Sequence, residues 1–259
     1  MKIIVCVKQV PDTETRVKIG PDGLGIAEGE INWIVSPYDE FAIEEALRIK
    51  EAKGGDVVLV SVGPARVQTA LRTGLAMGAD SAVHVNDPLL DKADSLATAR
   101  ALAAAIRTAA PFDLILTGQQ GVGGDNCQVP GLLAEILDLP QVTVVVKVDL
   151  LDGKAVVERE IEGGRETWET SLPAVLSAQK GLNDQRYASL KGIMAAKKKP
   201  IESVDVSALG LTAADVGPRT EVVSMELPPV RAAVRLIEGD PAAQAKELLR
   251  LLHEEAKVI

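Results

Sequence analysis

TGQQGVGGDNCQVPGLLAEILDLP, residues 117–140, decides the fold, because an apolar run at 113–116 leads into four glycines, an Asp-Asn pair and then a helical apolar period. This pattern predicts a strand at 113–116, a glycine-rich loop and a helix at 129–137. Glycine lets the backbone approach a ligand, and a helix start offers free N–H groups and a positive dipole end to an anion. The loop is therefore the leading candidate for a phosphate site.

The glycine spacing matches neither common phosphate fingerprint. A P-loop ends in Gly-Lys-Ser/Thr, and the dinucleotide-binding form needs a third glycine where Asn126 stands. Because loops also use glycine merely to turn, a βα turn without a ligand is an equal alternative on this segment alone.

The rest of the chain alternates short apolar runs with helical periods. Strands are predicted at 3–7, 56–62, 81–85 and 141–148, and helices at 38–53, 65–77 and 95–109. With only two residues each of Phe, Trp and Tyr, the core must consist of Ala, Val, Leu and Ile, which suits a parallel sheet. The rhythm predicts an α/β fold of the doubly wound, mostly parallel, adenine-nucleotide-binding type.

The pattern changes after this α/β rhythm. Alternating runs at 155–161 and 165–171 flank Gly163-Gly164 and predict a β-hairpin, followed by a buried strand at 174–178. We expect a nucleotide-binding domain over residues 1–180. Residues 181–259 are predicted to form an extended arm that ends in a helix capped by Asp240 and begun by Pro241. Such an arm needs a surface to lie on, and a partner subunit is our first choice.

Composition excludes several classes of function. A net charge of −9 argues against nucleic-acid binding, and no apolar stretch is long enough to insert into a membrane. Cys6 and Cys127 have neither metal-ligand spacing nor a disulfide framework, so a reducing cytoplasm is expected. His84 and His253 are the only histidines, and neither has an evident nucleophile beside it, so we expect no enzyme acting alone.

Three further βα junctions should meet the glycine loop at the carboxyl edge of the sheet. The first is the strand exit Cys6-Val7-Lys8-Gln9-Val10-Pro11-Asp12, whose backbone N–H and C=O groups could bind a flat base. The second is Ser36-Pro37-Tyr38-Asp39, in which Ser36 can cap a helix that Pro37 begins. The third is Ser61-Val62-Gly63-Pro64-Ala65, in which Gly63 permits close approach of a ligand and Pro64 starts a helix. Ordinary strand exits and helix caps explain each junction alone, but together they place several helix starts around one crevice, which suits a nucleotide phosphate.

A longer motif carries a resemblance to a known family. It covers the predicted hairpin and the strand that follows: Val157-x-Arg159-x-x-Glu162-Gly163-Gly164-x-Glu166-x-Trp168-x4-Pro173-x-Val175-Leu176-Ser177. Similar stretches occur at 43–51, 76–80 and 186–190. In these residues, and nearly end to end, the chain resembles the beta subunit of electron transfer flavoprotein. Trp168 and Ser177 depart mildly from the usual residues of the motif.

The resemblance implies a heterodimer with an alpha subunit that holds most of the redox FAD, while the beta subunit buries a structural AMP. It places the AMP contacts on the junctions already identified, with Asp125, Asn126 and Gln128 most important. The implied contact residues are Cys6, Ser36, Pro37, Tyr38, Asp39, Val62, Gly118, Gln119, Gln120, Gly121, Val122, Gly123, Gly124, Asp125, Asn126, Cys127, Gln128 and Val129.

The resemblance also implies a recognition loop that docks partner dehydrogenases, with Leu190 as its apolar anchor. The loop residues are Ala188, Ser189, Leu190, Lys191, Gly192, Ile193 and Met194. One exposed apolar anchor suits weak, fast docking. A buried tether is the alternative for this segment, and the lysine run at 197–199 is either a docking patch for an acidic partner or ordinary solvated surface.

The implied function is electron carriage from flavin dehydrogenases, such as acyl-CoA dehydrogenases, to a membrane quinone reductase. A bifurcating, NADH-linked relative that binds a second FAD instead of AMP is the alternative within the family. Residues 36–45 look more like the AMP-binding members. Outside the family, the alternative is a stand-alone ATP-binding protein of the universal-stress kind, which needs neither the hairpin nor the arm.

Overall fold

The computed structural model describes residues 1–231 and 233–259. Its strands are β1 (Lys2–Cys6), β2 (Gln9–Pro11), β3 (Trp33–Val35), β4 (Asp56–Val62), β5 (Ser81–Val85), β6 (Leu114–Gly118), β7 (Gln141–Leu151), β8 (Lys154–Ile161), β9 (Gly164–Ser171), β10 (Ala174–Ala178) and β11 (Ile201–Val204). Its helices are α1 (Pro37–Lys53), α2 (Gln68–Met77), α3 (Ser95–Thr108), α4 (Val129–Leu137), α5 (Leu190–Ala196), α6 (Ala213–Val216) and α7 (Pro241–Arg250).

Nine strands form one sheet in the order β11-β5-β4-β1-β6-β10-β7-β8-β9. Pairing is parallel from β11 to β7, and the β7-β8-β9 part is antiparallel. The chain starts at β1, builds outward through β4 and β5, and then crosses back to β6 on the other side of β1. The predicted doubly wound α/β fold is confirmed, with a topological switch point between β1 and β6.

The two faces of the sheet carry separate apolar layers. Ile3 and Val5 of β1 pack with Ile43 of α1 and Leu71 of α2, so these two helices cover one face. Alternate residues of β1, such as Ile4, face the other side of the sheet and pack with Leu102 and Ile106 of α3 and Leu133 of α4. Each fully buried Leu or Ile side chain stabilises the fold by ~1.5–3 kcal/mol. Because helices cover both faces, the carboxyl edge of the strands is left open between them.

The hairpin and the terminal helix agree with the sequence. Strands β8 and β9 pair in register from Lys154↔Ser171 to Ile161↔Gly164. At the start of α7, the Asp240 side chain accepts a hydrogen bond from the Ala243 amide at 2.9 Å. Both features follow from local sequence signals. A glycine turn predicts the hairpin, and an N-cap residue predicts the start of the helix.

The beginning of the predicted arm contains more regular structure than the sequence indicates. Helix α5 packs on α2, strand β11 extends the sheet beside β5, and α6 packs against α3. Residues 217–231 and 233–240 contain no helix or strand. The sequence missed α5, β11 and α6, and also the small β2-β3 ribbon, because each is too short to show a period and is stabilised mainly by its neighbours.

In residues 1–231 and 233–259, no helix has both the length and the apolar character required to cross a bilayer.

Candidate functional site

A cleft of about 940 Å³ opens at the carboxyl edge of the sheet, over the switch point between β1 and β6. The ends of three neighbouring strands line it through Cys6, Val62 and Thr117. Parts of α3 and α4 and the glycine loop complete its walls. Crevices at switch points are where open α/β folds bind ligands, and the volume lies in the usual range of ~300–1,000 Å³.

The walls of the cleft divide into two kinds of surface. Leu90, Leu102, Val129 and Leu132 supply apolar surface. The glycine loop adds backbone groups and short polar side chains. An apolar wall beside a backbone-rich loop can hold a ligand that has a flat apolar part and an anionic part.

The glycine loop is held in a compact shape by its own hydrogen bonds. The Gln120 Nε2 donates to Asp125 Oδ1 at 2.9 Å, and the Asp125 amide donates to the Gly121 carbonyl at 3.0 Å. Asp125 and Cys127 both have left-handed φ angles, 46° and 52°. Aspartate tolerates that region because its short side chain bonds locally. The loop is therefore a folded unit that precedes α4.

Gln119 ties the loop to the sheet. Its Oε1 accepts hydrogen bonds from the Val144 amide at 2.9 Å and from Ser177 Oγ at 2.5 Å. The backbone N–H of Gln119 donates to the Ala178 carbonyl at 2.9 Å. Although Gln119 lines the cleft, its side-chain oxygen serves the fold.

Asp39 fixes the base of the cleft. Only 6% of its surface is exposed, and its carboxylate accepts the Lys8 amide at 2.6 Å and the Gly118 amide at 2.9 Å. Burial raises the pKa of Asp39 to about 7, and the two amide hydrogen bonds and the Lys8 charge oppose that rise. This carboxylate thus joins the exits of β1 and β6.

The hydrogen bond between the Gly118 amide and the Asp39 carboxylate requires a glycine at position 118. A methyl group at Gly118 would overlap Asp39 Oδ1 and would lie 2.7 Å from Tyr38 Cβ. No other residue allows α1 to start so close to the end of β6. The start of α1 therefore supports the glycine loop from below.

Thr117 carries an unsatisfied hydroxyl at the cleft. The residue is 4% exposed, and among the residues that the structure describes its Oγ1 has no hydrogen-bond partner. A buried hydroxyl without a partner costs ~1–3 kcal/mol. Because Thr117 lines the cleft, a polar ligand atom is the natural partner.

Two more features of the cleft suit a ligand that has an uncharged part and an anionic part. Burial, and secondarily the Asp39 charge, raises the pKa of the Cys6 thiol far above its usual value, so Cys6 presents a neutral surface. Helix α4 begins after Gln128 without a side-chain cap. Its first N–H groups are therefore available to an anion.

Thirteen of the eighteen predicted contact residues line the cleft: Cys6, Asp39, Val62, Gly118, Gln119, Gln120, Gly121, Gly124, Asp125, Asn126, Cys127, Gln128 and Val129. Ser36, Pro37, Tyr38, Val122 and Gly123 do not. Ser36 is the N-cap residue of α1, as predicted, but its side chain makes no capping bond, and its Oγ instead donates to the Gln120 carbonyl at 3.4 Å. Ser36 and Tyr38 support the loop from behind.

Three charged residues at the cleft were not among the predicted contacts, namely Asp94, Arg219 and Lys8, although Lys8 lies within the first predicted junction. The Asp94 carboxylate caps α3 through the Ala97 amide and also accepts the Arg219 and Thr220 amides. The Asp94-Ser95 pair before an alanine-rich helix was a readable capping signal. No local sequence pattern predicted that Arg219 lies at the cleft, because its position depends on the path of the arm.

The predicted recognition segment lies on another surface. It is largely helical, since Leu190 to Met194 belong to α5, so the description of it as a loop is corrected. Ser189 caps this helix by accepting the Gly192 amide at 3.0 Å. Leu190 is 78% exposed, and Ile193 and Met194 are exposed beside it. The alternative of a buried tether does not fit this exposure.

The ends of α5 are fixed to the domain. Before the helix, Arg186 pairs with Glu44 and Glu51 of α1. After it, the Arg72 guanidinium of α2 donates to the carbonyls of Ala196 and Lys199, both at 2.6 Å. The exposed apolar side chains of α5 are thus presented from a rigid base.

Comparisons with known proteins agree with the motif in the hairpin. The sequence model of the family "Electron transfer flavoprotein domain" matches residues 23–209. The chain is 42% identical over 260 residues to electron transfer flavoprotein subunit beta of Bacillus subtilis, covering 100% of both chains. It is 40% identical over 256 residues to the Homo sapiens protein of the same name, covering 97% of this chain and 99% of that one. The chain therefore belongs to the electron transfer flavoprotein family, as a beta subunit.

Proposed function

We propose that the chain binds a structural AMP in the cleft and pairs with an electron transfer flavoprotein alpha subunit to form an electron carrier. The heterodimer would accept electrons from flavin dehydrogenases, such as acyl-CoA dehydrogenases, and pass them to a membrane quinone reductase. The FAD, held mainly by the alpha subunit, supplies the redox chemistry. This chain contributes the scaffold, the nucleotide site and a docking surface.

The observation that carries the nucleotide assignment is the unsatisfied Thr117 hydroxyl at a cleft with an apolar wall and a glycine loop. The apolar side chains suit a flat base, and the loop with the start of α4 suits a phosphate. AMP has both parts. Backbone groups of 118–129 would hold the phosphate, while Cys6 and Val62 would contact the base.

The docking assignment rests on the geometry of α5. An exposed leucine on a helix that is fixed at both ends loses little conformational freedom when a partner binds. A small apolar hot spot of this kind gives recognition with a short-lived complex, as an electron carrier requires. The exposed apolar residues of the arm and of α7, such as Leu236 and Leu249, suit a more permanent interface with the alpha subunit.

The experiment that tests this function is to co-express the chain with its alpha partner, denature the purified complex and quantify the released nucleotides by chromatography with mass detection. One FAD and one AMP per heterodimer would support the non-bifurcating carrier. Two FAD without AMP would instead support a bifurcating, NADH-linked protein, and no nucleotide beyond the FAD of the alpha subunit would contradict the cleft assignment.

A variant makes the test specific to this cleft. Asp125→Ala removes the carboxylate that Gln120 holds within the loop, so the loop should lose its shape and the AMP content should fall while the FAD content stays unchanged. Asp152→Ala, at the exposed turn between β7 and β8, is the matched control and should keep both nucleotides. Equal AMP content in both variants would count against the glycine loop as the site.

A further inference from the structure

Lys8 has a fixed backbone at the edge of the cleft. It follows β1 two residues after Cys6, its amide donates to Asp39 Oδ2 at 2.6 Å, and its carbonyl accepts the Ser36 amide at 2.9 Å. Both backbone groups are therefore used by the start of α1. The side chain is exposed and lines the cleft, so it is the part of Lys8 that can serve a ligand.

The Lys8 side chain lies along the glycine loop. A methyl group at Gly121 would lie 2.6 Å from Lys8 Cδ and 2.8 Å from Nζ, and one at Gly124 would lie 3.8 Å from Nζ. The absence of a side chain at Gly121 thus makes room for the lysine. Its ammonium group lies beside the backbone of the loop that precedes α4, where a phosphate would meet free N–H groups.

The charges of the cleft explain why a cation is needed there. The carboxylates of Asp94 and Asp125 line the cleft together with the cations Lys8 and Arg219, while Asp39 lies buried at its base. The two carboxylates are hydrogen-bonded to protein amides and would repel a phosphate. In the described part of the chain, the Lys8 ammonium makes no hydrogen bond or ion pair, so its charge is available.

We propose that Lys8 is the cationic ligand of the phosphate group of the bound adenine nucleotide, and that it makes the cleft select a phosphorylated ligand over the free nucleoside. This inference rests on the proposed nucleotide function. Lysine acts on phosphate as a point charge with three donors, so it needs no exact orientation and tolerates the flexible stem that Lys8 has.

The test compares ligands that differ only in the phosphate. Affinities of the full-length chain for AMP and for adenosine are measured by equilibrium dialysis. The variants are Lys8→Met, which keeps the stem without the charge, and Lys8→Arg, which keeps the charge. Lys53→Met is the control, because Lys53 is exposed at the far end of α1, roughly 20 Å along the helix from Asp39.

We expect Lys8→Met to weaken the binding of the phosphorylated ligand about ten- to hundredfold and to change the binding of the nucleoside by less than about twofold. Lys8→Arg and Lys53→Met should bind the phosphorylated ligand nearly as the natural chain does. Equal losses for AMP and adenosine, or no loss for either, would overturn the role of Lys8 while the nucleotide function stands. If the natural chain bound neither AMP nor adenosine, the nucleotide function itself would be wrong, and the role of Lys8 with it.

Discussion

Gly192, in the middle of α5, lies directly against the carbonyl oxygen of Ala76 near the end of α2. A methyl group at Gly192 would overlap that oxygen and would lie 3.3 Å from Ser189 Oγ, the atom that caps α5. The oxygen belongs to a helix backbone and has no room to move aside. The position of the proposed docking helix is therefore set by a glycine contact.

The first prediction is that Gly192→Ala destabilises the chain although alanine is the better helix former. Helix propensity alone would favour alanine by up to ~1 kcal/mol, whereas the overlap with Ala76 forces α5 outward. The midpoint of urea unfolding should fall. Lys191→Ala, an exposed change in the same helix, is the control and should leave the midpoint unchanged or slightly raised. A stabilised Gly192→Ala variant would show that α5 does not depend on this contact.

Leu190→Ala should slow electron transfer from partner dehydrogenases while the heterodimer stays intact. Truncation of a hot-spot leucine costs ~1–2 kcal/mol of docking free energy, about a tenfold loss of affinity. The measurement is the rate of electron transfer as a function of carrier concentration, with gel filtration to check assembly. Leu89→Ala removes another exposed leucine outside α5 and should transfer electrons normally. Full coupling in the Leu190 variant would refute the docking role.

Thr117→Val should have effects of opposite sign on the empty and the loaded chain. Valine has nearly the same shape but no hydroxyl, so the variant removes a buried polar atom that has no partner among the described residues. Without nucleotide, the free energy of unfolding should rise by ~1 kcal/mol, and with AMP present the added stabilisation should shrink. Thermal unfolding without AMP measures the stability of the empty chain, and thermal unfolding with AMP measures the stabilisation by the nucleotide. A loss of stability in both states would mean that the hydroxyl has an internal partner.

Much of the cleft could be predicted from sequence because its parts are local. The ends of β1, β4 and β6 each show an apolar run followed by a glycine, a proline or a helix cap, and parallel strands bring such ends to one edge. Lys8 could not be identified in this way. Its role depends on the space left by Gly121, and nothing in the residues near Lys8 reports a glycine so distant in the chain.

Helix α5 escaped prediction for a related reason. Most of its seven residues are good helix formers, but Gly192 lowers the propensity, and the segment is too short to show an apolar period or to be stable as an isolated helix. The cap by Ser189 and the hydrogen bonds from Arg72 to the chain after it supply the stability that the segment lacks by itself. Tertiary contacts decided the structure there.

Arg186→Met should be strongly destabilising. The guanidinium binds both oxygens of Glu44, at 2.7 and 3.0 Å, and the Glu44 side chain is only 4% exposed. The methionine would leave a buried carboxylate without its main partner, at a cost of ~2–4 kcal/mol in the free energy of unfolding. Arg48→Met is the matched control, because Arg48 also reaches Glu44 but is 48% exposed. Its cost should stay below ~1 kcal/mol.

The double variant Arg186→Met/Glu44→Gln separates charge from packing. If the cost arises from the stranded carboxylate, neutralising Glu44 should recover part of the lost stability. Urea unfolding of the two single variants and the double variant gives the coupling free energy. Additive losses would assign the cost to the packing of the arginine stem instead.

The last prediction concerns the pH dependence of stability through Asp39, whose pKa burial raises from 3.8 to about 7. Between these two values the folded chain keeps a proton that the unfolded chain has released. The folded state therefore binds more protons than the unfolded state, and the free energy of unfolding falls as pH rises. The Asp39 contribution is fully present below about pH 4 and is lost as pH rises through about 7. The slope reaches at most ~1.4 kcal/mol per pH unit.

Asp39→Asn isolates this contribution, because asparagine does not titrate. The free energy of unfolding of the natural chain minus that of the variant should decrease between about pH 4 and pH 7, as measured by urea unfolding in overlapping buffers. The Asp39 carboxyl carbon resonance should titrate with a midpoint near 7, and Lys8→Met should move that midpoint upward, because the Lys8 charge lowers the pKa of Asp39. A difference that grows with pH would mean that the two amide hydrogen bonds outweigh burial and that the folded cleft prefers the charged carboxylate.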